Sequence, residues 1–524
     1  MPSTRPSAFF RLALLVLVLV LPVAGCDSTG TTGNGNENGN EETGPPPVSD
    51  AVDGFTSQPA PILVDGEPRD WTDLAARHDD TGDGDGAVGI ERLWVAHTAQ
   101  RLFLRLTVNQ PINLEENNDL TLYLDTDNDP TTGNRALGLG AELEWTFGQR
   151  TGRLGSGRTV RHEELGLASL PTVRADTFEI ALDRSVEPGG EALFSGDSLR
   201  VALSSGGDRL PDEDGGLGYA FSDTDAAADA PSLDRPADAD LRLLSYNVPT
   251  NDFEQSSLFE EDAQPSYGRI LQAIEPDVIG FQEMYGEPAA EIEQVVEEDI
   301  GGVPAAWTWA KLGDELVLGS QYPIADTATV AGADGFASGA FLLDTRDALG
   351  DSTVVVLMHP KCCSGAEEDR LRQATVDGVV AFLRDVTKGE GPFGVGANTP
   401  IVVMGDMNFV GDPQQPRTLR TGEIQNTDRF GPSARPDWDD SPLLDTNPQH
   451  TGAPLHTTTF SPGGFPPGRL DYAYVTDSVL EVVHEFALNT RALSDAELND
   501  TGLQRDDTVT ASDHLPLVVD LTLR

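Results

Sequence analysis

After position 241 the chain repeats one arrangement: an apolar run of strand formers that stops on a polar residue able to do chemistry. "LRLLSYNV" ends on Asn247, "DVIGFQEM" on Glu283, "STVVVLMHP" on His359, and "TPIVVMGDMNFV" on Asp406 and Asn408. Continuous apolar runs mark strands covered on both faces, so the sheets they build must lie between other layers. The ends of such strands form the one edge where polar residues from distant parts of the chain can meet. Two later segments extend the set: "GRLDYAYV" carries Asp471 in a strand, and "TASDHLPLVVDL" places Asp513 and His514 before the last one. Between the first two strands, "SYGRILQAIEP" has Ile270, Leu271 and Ile274 at helical spacing and stops before Pro276.

Taken in order, these motifs resemble those of the endonuclease/exonuclease/phosphatase superfamily, the relatives of deoxyribonuclease I and bacterial sphingomyelinase. The resemblance spans nearly all of 241–524. It implies an α+β four-layer sandwich, two packed mixed β-sheets with outer helices, and metal-assisted attack of water on a phosphate ester. The implied metal ligands are Glu283, with Asn247 and Asp513 as direct or water-mediated partners, and oxygen donors favour Mg²⁺ or Mn²⁺. The implied catalytic residues are His359, Asp406, Asn408, Asp471 and His514. His514 suits the base that activates water, with Asp471 holding its tautomer; Asp406 is the alternative base and, with Asn408, orients water and phosphate. His359 would stabilise the pentacovalent state or protonate the leaving oxygen. The chain departs from the pattern at Gln321, where an Arg often stands. Glu315 is the one candidate for the carboxylate that orients the first catalytic His. Lys361 in "HPKCCSG" is a phosphate contact or a surface residue.

Residues 57–221 read differently. Short alternating segments such as "DLTLYLDTDND", "AELEWTF" and "SLRVALSS" are separated by Gly and Asp turns, which predicts an all-β sandwich. The opening "VDGEPRDWTDL" and the later "LYLDTDNDPTTG" resemble family-nine-like carbohydrate-binding modules, which implies polysaccharide as a partner. Trp71, Trp94 and Trp145 read as core rather than as a sugar platform. Asp125, Asp127 and Asp129 recur at every second residue, and hard carboxylate oxygens of that kind suit a structural Ca²⁺. Asp79, Asp80, Asp83 and Asp85 form a second acidic loop.

The N-terminus addresses the chain elsewhere. Thirteen apolar residues from Leu12 to Ala24 are too few to span a bilayer, which takes about 20. "LPVAGC" resembles the bacterial lipoprotein box, which implies cleavage before Cys26, lipidation there, and a chain exported and anchored to the cell envelope; an ordinary secretory signal is the alternative. The resulting division is signal peptide 1–25, lipidated Cys and flexible tether 26–56, sandwich 57–221, an Ala, Asp and Pro-rich linker 222–240, and catalytic domain 241–524. The remaining cysteines are the adjacent pair Cys362 and Cys363, whose small ring would be strained, so two thiols are expected.

Charge bears on the substrate. With 87 acidic and 34 basic residues the formal charge is −53, which repels polyanions at long range. The favoured function is a metal-dependent phosphodiesterase, an exported nuclease, although groove binding to DNA normally draws on Lys and Arg that are scarce here. The alternatives are a phospholipid or phosphoinositide head-group phosphodiesterase or phosphatase and, in another class, a catalytically inactive surface polysaccharide-binding protein. A monomer is assumed.

Overall fold

The computed structural model describes residues 54–82, 88–222, 230–251, 255–332, 337–453 and 464–524. The expected signal peptide, the expected tether up to residue 53 with Cys26, and Asp83 and Asp85 lie outside the described residues; at the end of that tether Thr56 forms a parallel bridge with Tyr219 of the sandwich. Among the described residues no helix is long and apolar enough to cross a membrane.

Residues 57–221 form two sheets. The five-stranded one runs, in spatial order, His78–Asp79, Ile90–His97, Arg101–Ile112, Ala175–Asp183 and Ala168–Leu170. The seven-stranded one is centred on Thr121–Asp125 between Ser198–Ser205 and Leu143–Thr146. Alternation along Arg101–Ile112 explains the packing: Leu102, Leu104, Leu106 and Val108 enter the core shared with the second sheet, where Trp145 is fully buried. Phe103 joins an outer cluster with Ile62, Val64, Trp71 and Trp94. Trp71, Trp94 and Trp145 are therefore core, as their sequence context suggested.

Glu179 lies on that outer face, 1% exposed. It accepts hydrogen bonds from Trp71 Nε1 at 2.8 Å and Gly66 N at 2.8 Å. Burial, and then the charge of Asp65, push its carboxyl up to about 8 from an ordinary 4.5. The folded chain therefore holds a proton that the unfolded chain releases, so stability falls as pH rises from about 5 to 8. Glu179→Gln, which mimics the protonated acid, is expected to flatten that fall in a series of thermal midpoints against pH; an unaltered slope would show the proton lies elsewhere.

The C-terminal region stacks two six-stranded mixed sheets. Label its strands β1 (Leu241–Asn247), β2 (Val278–Gln282), β3 (Thr308–Leu312), β4 (Leu316–Ser320), β5 (Ile324–Thr329), β6 (Ala337–Leu343), β7 (Thr353–His359), β8 (Ile401–Asp406), β9 (Leu444–Asp445), β10 (Asp471–Val475), β11 (Leu480–Ala487) and β12 (Leu517–Leu523). One sheet has the order β3-β4-β2-β1-β12-β11 and the other β5-β6-β7-β8-β10-β9. β1 pairs with β2 and β7 with β8 in parallel, whereas β12 and β10 run antiparallel to β1 and β8. Leu243, Leu357, Met404 and Ala473 fill the space between the sheets. Their strand neighbours Leu244, Met358 and Val403 face outward to helices, among them α1 (Gln264–Ile274) and α2 (Ala366–Thr387). This is the four-layer α+β arrangement expected from the sequence.

The two regions touch extensively. Val173 of the sandwich forms a parallel bridge with Gly411, and Arg174 N donates to Gly411 O at 2.7 Å. Thr172 Oγ1 donates to Arg469 O at 3.1 Å, and Ser364 Oγ to Glu116 Oε2 at 2.6 Å. Ala453 belongs to the outer apolar cluster of the sandwich. Within the 222–240 segment, Leu233 packs on the β1 helix layer and Arg235 pairs with Asp277 at 2.7 Å.

Candidate active site

Strand parity delivers the side chains. Leu243, Leu357, Met404 and Ala473 point between the sheets, and counting in twos along their strands reaches Asn247, His359, Asp406 and Asp471. Each strand thus continues its inward row past the end of the apolar core with a polar group. The antiparallel strand β10 contributes from its first residue, because its start lies beside the end of β8: Asp471 pairs directly with Asp406. Gly405 has φ +145°, and a Cβ there would meet Met358 O at 2.1 Å, so only glycine lets β8 close on β7 one residue before Asp406. Glu283 and Asn408 hold φ of 63° and 49°, left-handed conformations that redirect both side chains immediately after their strands.

Among the described residues, two overlapping groups each gather ligand atoms within 4.8 Å: Glu283, His359 and Asp406, then Asp406, Asp471 and His514. Asp406 joins them. Its Oδ2 accepts from Asn247 Nδ2 at 2.9 Å and Asn408 Nδ2 at 3.1 Å, and lies 3.5 Å from His359 Nε2 and 3.8 Å from His514 Nε2. His514 Nδ1 is 2.7 Å from Asp471 Oδ2. Its backbone N–H donates to Ser512 Oγ at 2.9 Å, and that hydroxyl donates to Asn247 O at 2.8 Å. The last loop is thereby tied to β1.

His359 has its own carboxylate. Glu315, 4% exposed, places Oε2 at 2.5 Å from His359 Nδ1 and also accepts from the Tyr285 hydroxyl. Glu315, the candidate named from sequence, thus stands where an orienting carboxylate is needed. Burial alone would lower the His359 pKa, but the hydrogen bond and charge of Glu315, with Asp406 and Glu283, raise it to about 9. For His514 burial is likewise opposed, here by the charges of Asp471 and Asp406, and the imidazole sits well above its ordinary value. Burial pushes the carboxyls of Glu283 and Asp406 upward, against the pull of His359 and His514 respectively.

The donor set fits a hard divalent cation. Asn247 Nδ2 donates to Glu283 Oε1 at 3.2 Å as well as to Asp406, which fixes the amide orientation, and its Oδ1 is buried without a hydrogen-bond partner. An orphan oxygen beside a raised carboxylate is what a cation would satisfy. Asp513, expected from sequence as a direct or water-mediated metal partner, is exposed and lines the pocket mouth with His514, outside the group of Glu283, His359 and Asp406. Gln321 bonds Asp277, and Lys361 Nζ is 3.4 Å from Cys362 Sγ. Cys362 and Cys363 are free thiols with sulfurs 2.7 Å apart.

In the sandwich, Asp125 and Asp127 converge with Glu142 rather than with Asp129. Asp129 turns away, its Oδ1 accepting from Thr131 N at 2.9 Å and Thr131 Oγ1 at 2.6 Å. Glu142 lies 13 residues beyond Asp129 on the neighbouring strand's approach, where no local spacing marks it.

Several solved structures match about half of the chain at low identity. The human Nocturnin catalytic domain matches at 16% identity over 54% of this chain and 94% of that one, with TM-score 0.31. An endonuclease/exonuclease/phosphatase from Beutenbergia cavernae matches at 20% identity, 54% and 71% coverage and TM-score 0.33. Sphingomyelinase C from Streptomyces griseocarneus matches at 16%, 53% and 98% coverage, and TM-score 0.32. No curated protein matches the chain. The sequence profile described as Endonuclease/Exonuclease/phosphatase family matches residues 244–514, more than half of the chain and every strand end of the pocket. The chain belongs to that family of phosphoester hydrolases.

Proposed function

We propose that this protein is a divalent-metal-dependent phosphodiesterase. The observation that carries the reading is the convergence of Glu283, His359, Asp406, Asp471 and His514, drawn from both sheets, into one pocket with two carboxylate-oriented imidazoles. Glu283 and Asn247 would hold Mg²⁺ or Mn²⁺, which when bound neutralises charge on the non-bridging phosphate oxygens.

The chain's own groups do the rest. Asp471 fixes Nδ1 of His514 and leaves Nε2 toward Asp406; the charge of a cation held beside Asp406 would favour the neutral imidazole, and in that form Nε2 can take a proton from the attacking water. Asn408 and Asn247 hold Asp406 by its Oδ2, leaving it to orient that water. His359, kept protonated by Glu315, supplies a proton to the leaving oxygen. Nucleic acid is the substrate this reading favours, with the chain exported and anchored through Cys26, a feature carried by "LPVAGC" alone.

The test is hydrolysis of bis(p-nitrophenyl) phosphate by the full chain after exhaustive chelation and after restoring Mg²⁺ or Mn²⁺. Turnover is expected only with the added cation, a difference on the order of 10²-fold or more. Undiminished activity in chelator would overturn the proposal.

A further inference from the structure

The sandwich does more than stand beside the catalytic domain. A pocket of about 370 Å³ is lined on one side by Asn408, Asp513 and His514 and on the other by Asn113, Glu115 and Glu116 of the sandwich. These last three belong to the turn that follows the long strand Arg101–Ile112. The turn is built, not loose. Asn113 Oδ1 accepts from Glu115 N at 3.1 Å, and Asn118 Nδ2 donates to Asn113 O at 2.7 Å and Leu114 O at 2.8 Å. Leu114 plugs into the sandwich core. Ser169 Oγ donates to Glu115 Oε1 at 3.3 Å.

Both catalytic loops are tied to this module. Ser364, five residues after His359, donates to Glu116, and Gly411, three after Asn408, bridges to Val173. The turn therefore rises as a fixed wall over the face where phosphate must approach His514. We propose that this 113–116 turn is the specificity wall of the active site, admitting one flexible phosphodiester unit of a single strand and turning a base-paired duplex away. The proposal rests on the phosphodiesterase reading and narrows its substrate.

Three observations support it. A pocket of this size takes about one nucleoside-sized group, whereas a duplex is a rigid rod that cannot bend around a wall. Phe465, 47% exposed, lines the same pocket with one face backed by the Arg150 guanidinium at 3.9 Å, an exposed ring on whose other face a base can stack. The pocket also opens, past Asn113, Glu116 and Ser364, into a groove of about 900 Å³ along the same junction. Arg174, Arg370 and Arg429 lie along it, interleaved with Asp369 and Asp412, so the continuing strand finds cations there but only weak net attraction. Burial pushes Glu115 up to about 8, and the wall it shares with Glu116 presents two carboxyl groups and no cation to a second strand's phosphates.

The experiment compares one fluorescent oligonucleotide, single-stranded and annealed, in the unaltered full chain, in Glu115→Ala/Glu116→Ala, and in the near-isosteric Glu116→Gln. The unaltered chain is expected to cut the single strand about 10²-fold faster than the duplex. Removing both side chains is expected to shrink that preference about tenfold. Glu116→Gln should lower KM for the single strand severalfold at low salt and leave kcat unmoved, a split that a loss of folding would not produce. Equal cutting of both forms by the unaltered chain, or neither variant shifting the preference or KM, would overturn the wall. Cleavage of bis(p-nitrophenyl) phosphate without cleavage of any strand would also overturn it while sparing the phosphodiesterase reading. Failure on that small ester as well would overturn both.

Discussion

His514→Ala is expected to retain no more than about 10⁻² to 10⁻⁴ of the bis(p-nitrophenyl) phosphate turnover of the unaltered chain, at saturating Mg²⁺ or Mn²⁺. The imidazole is the one group in the pocket with a nitrogen toward Asp406 and the other fixed by Asp471, so its loss removes both the proton acceptor and the partner that orders Asp471. Truncation leaves the fold unharmed because the loop is held through backbone: His514 N binds Ser512 Oγ, and Ser512 binds Asn247 O. Single-turnover kinetics separate the effects. A pure acid–base loss lowers kcat and kcat/KM together, whereas a rise in KM alone would assign His514 to substrate binding. Circular dichroism and a thermal midpoint close to those of the unaltered chain complete the measurement. Full turnover by this variant would remove His514 from the chemistry and return the base role to Asp406.

Much of this site could be read from residues alone, and the reason is strand geometry. Asn247, His359, Asp406 and Asp471 each sit at an edge of an apolar run, and a run buried on both faces announces where the sheet stops. Glu283 and Asn408 came with the same strands, although their left-handed backbone has no local mark in "FQEM" or "DMNF". Asp513 shows the limit. It neighbours His514 in sequence, but it sits at a bend and is exposed at the pocket mouth, whereas His514 is buried.

Contacts between distant segments were harder to foresee. Glu142 displaces Asp129 from the acidic cluster because the chain turns at Asp129, which spends its carboxylate on Thr131. The 113–116 wall had no signal at all: "INLEENN" reads as a polar turn, and its position over the catalytic pocket depends on docking through Val173, Gly411 and Ala453. Two adjoining modules, each with a readable core, thus combine into a site whose chemistry lies in one and whose access lies partly in the other.

Glu315→Gln should have the second large effect, and its signature is in pH. The carboxylate raises the His359 pKa to about 9 despite burial, through a 2.5 Å hydrogen bond and its charge. With His359 as proton donor, the rate falls as pH rises through that value, because the donor is lost. Glutamine keeps the shape and one acceptor but removes the charge, so burial then prevails and the pKa drops. The falling limb of kcat/KM should move to lower pH by at least about one unit, and kcat at neutral pH should fall about 10²-fold or more. Tyr285, which also donates to Glu315, separates this from a simple positioning loss: Tyr285→Phe removes that bond without touching the charge and should leave the limb near its original place. An unmoved limb in Glu315→Gln would mean that His359 does not carry the leaving-group proton, and that the pair serves only to hold Asp406 and Glu283 apart.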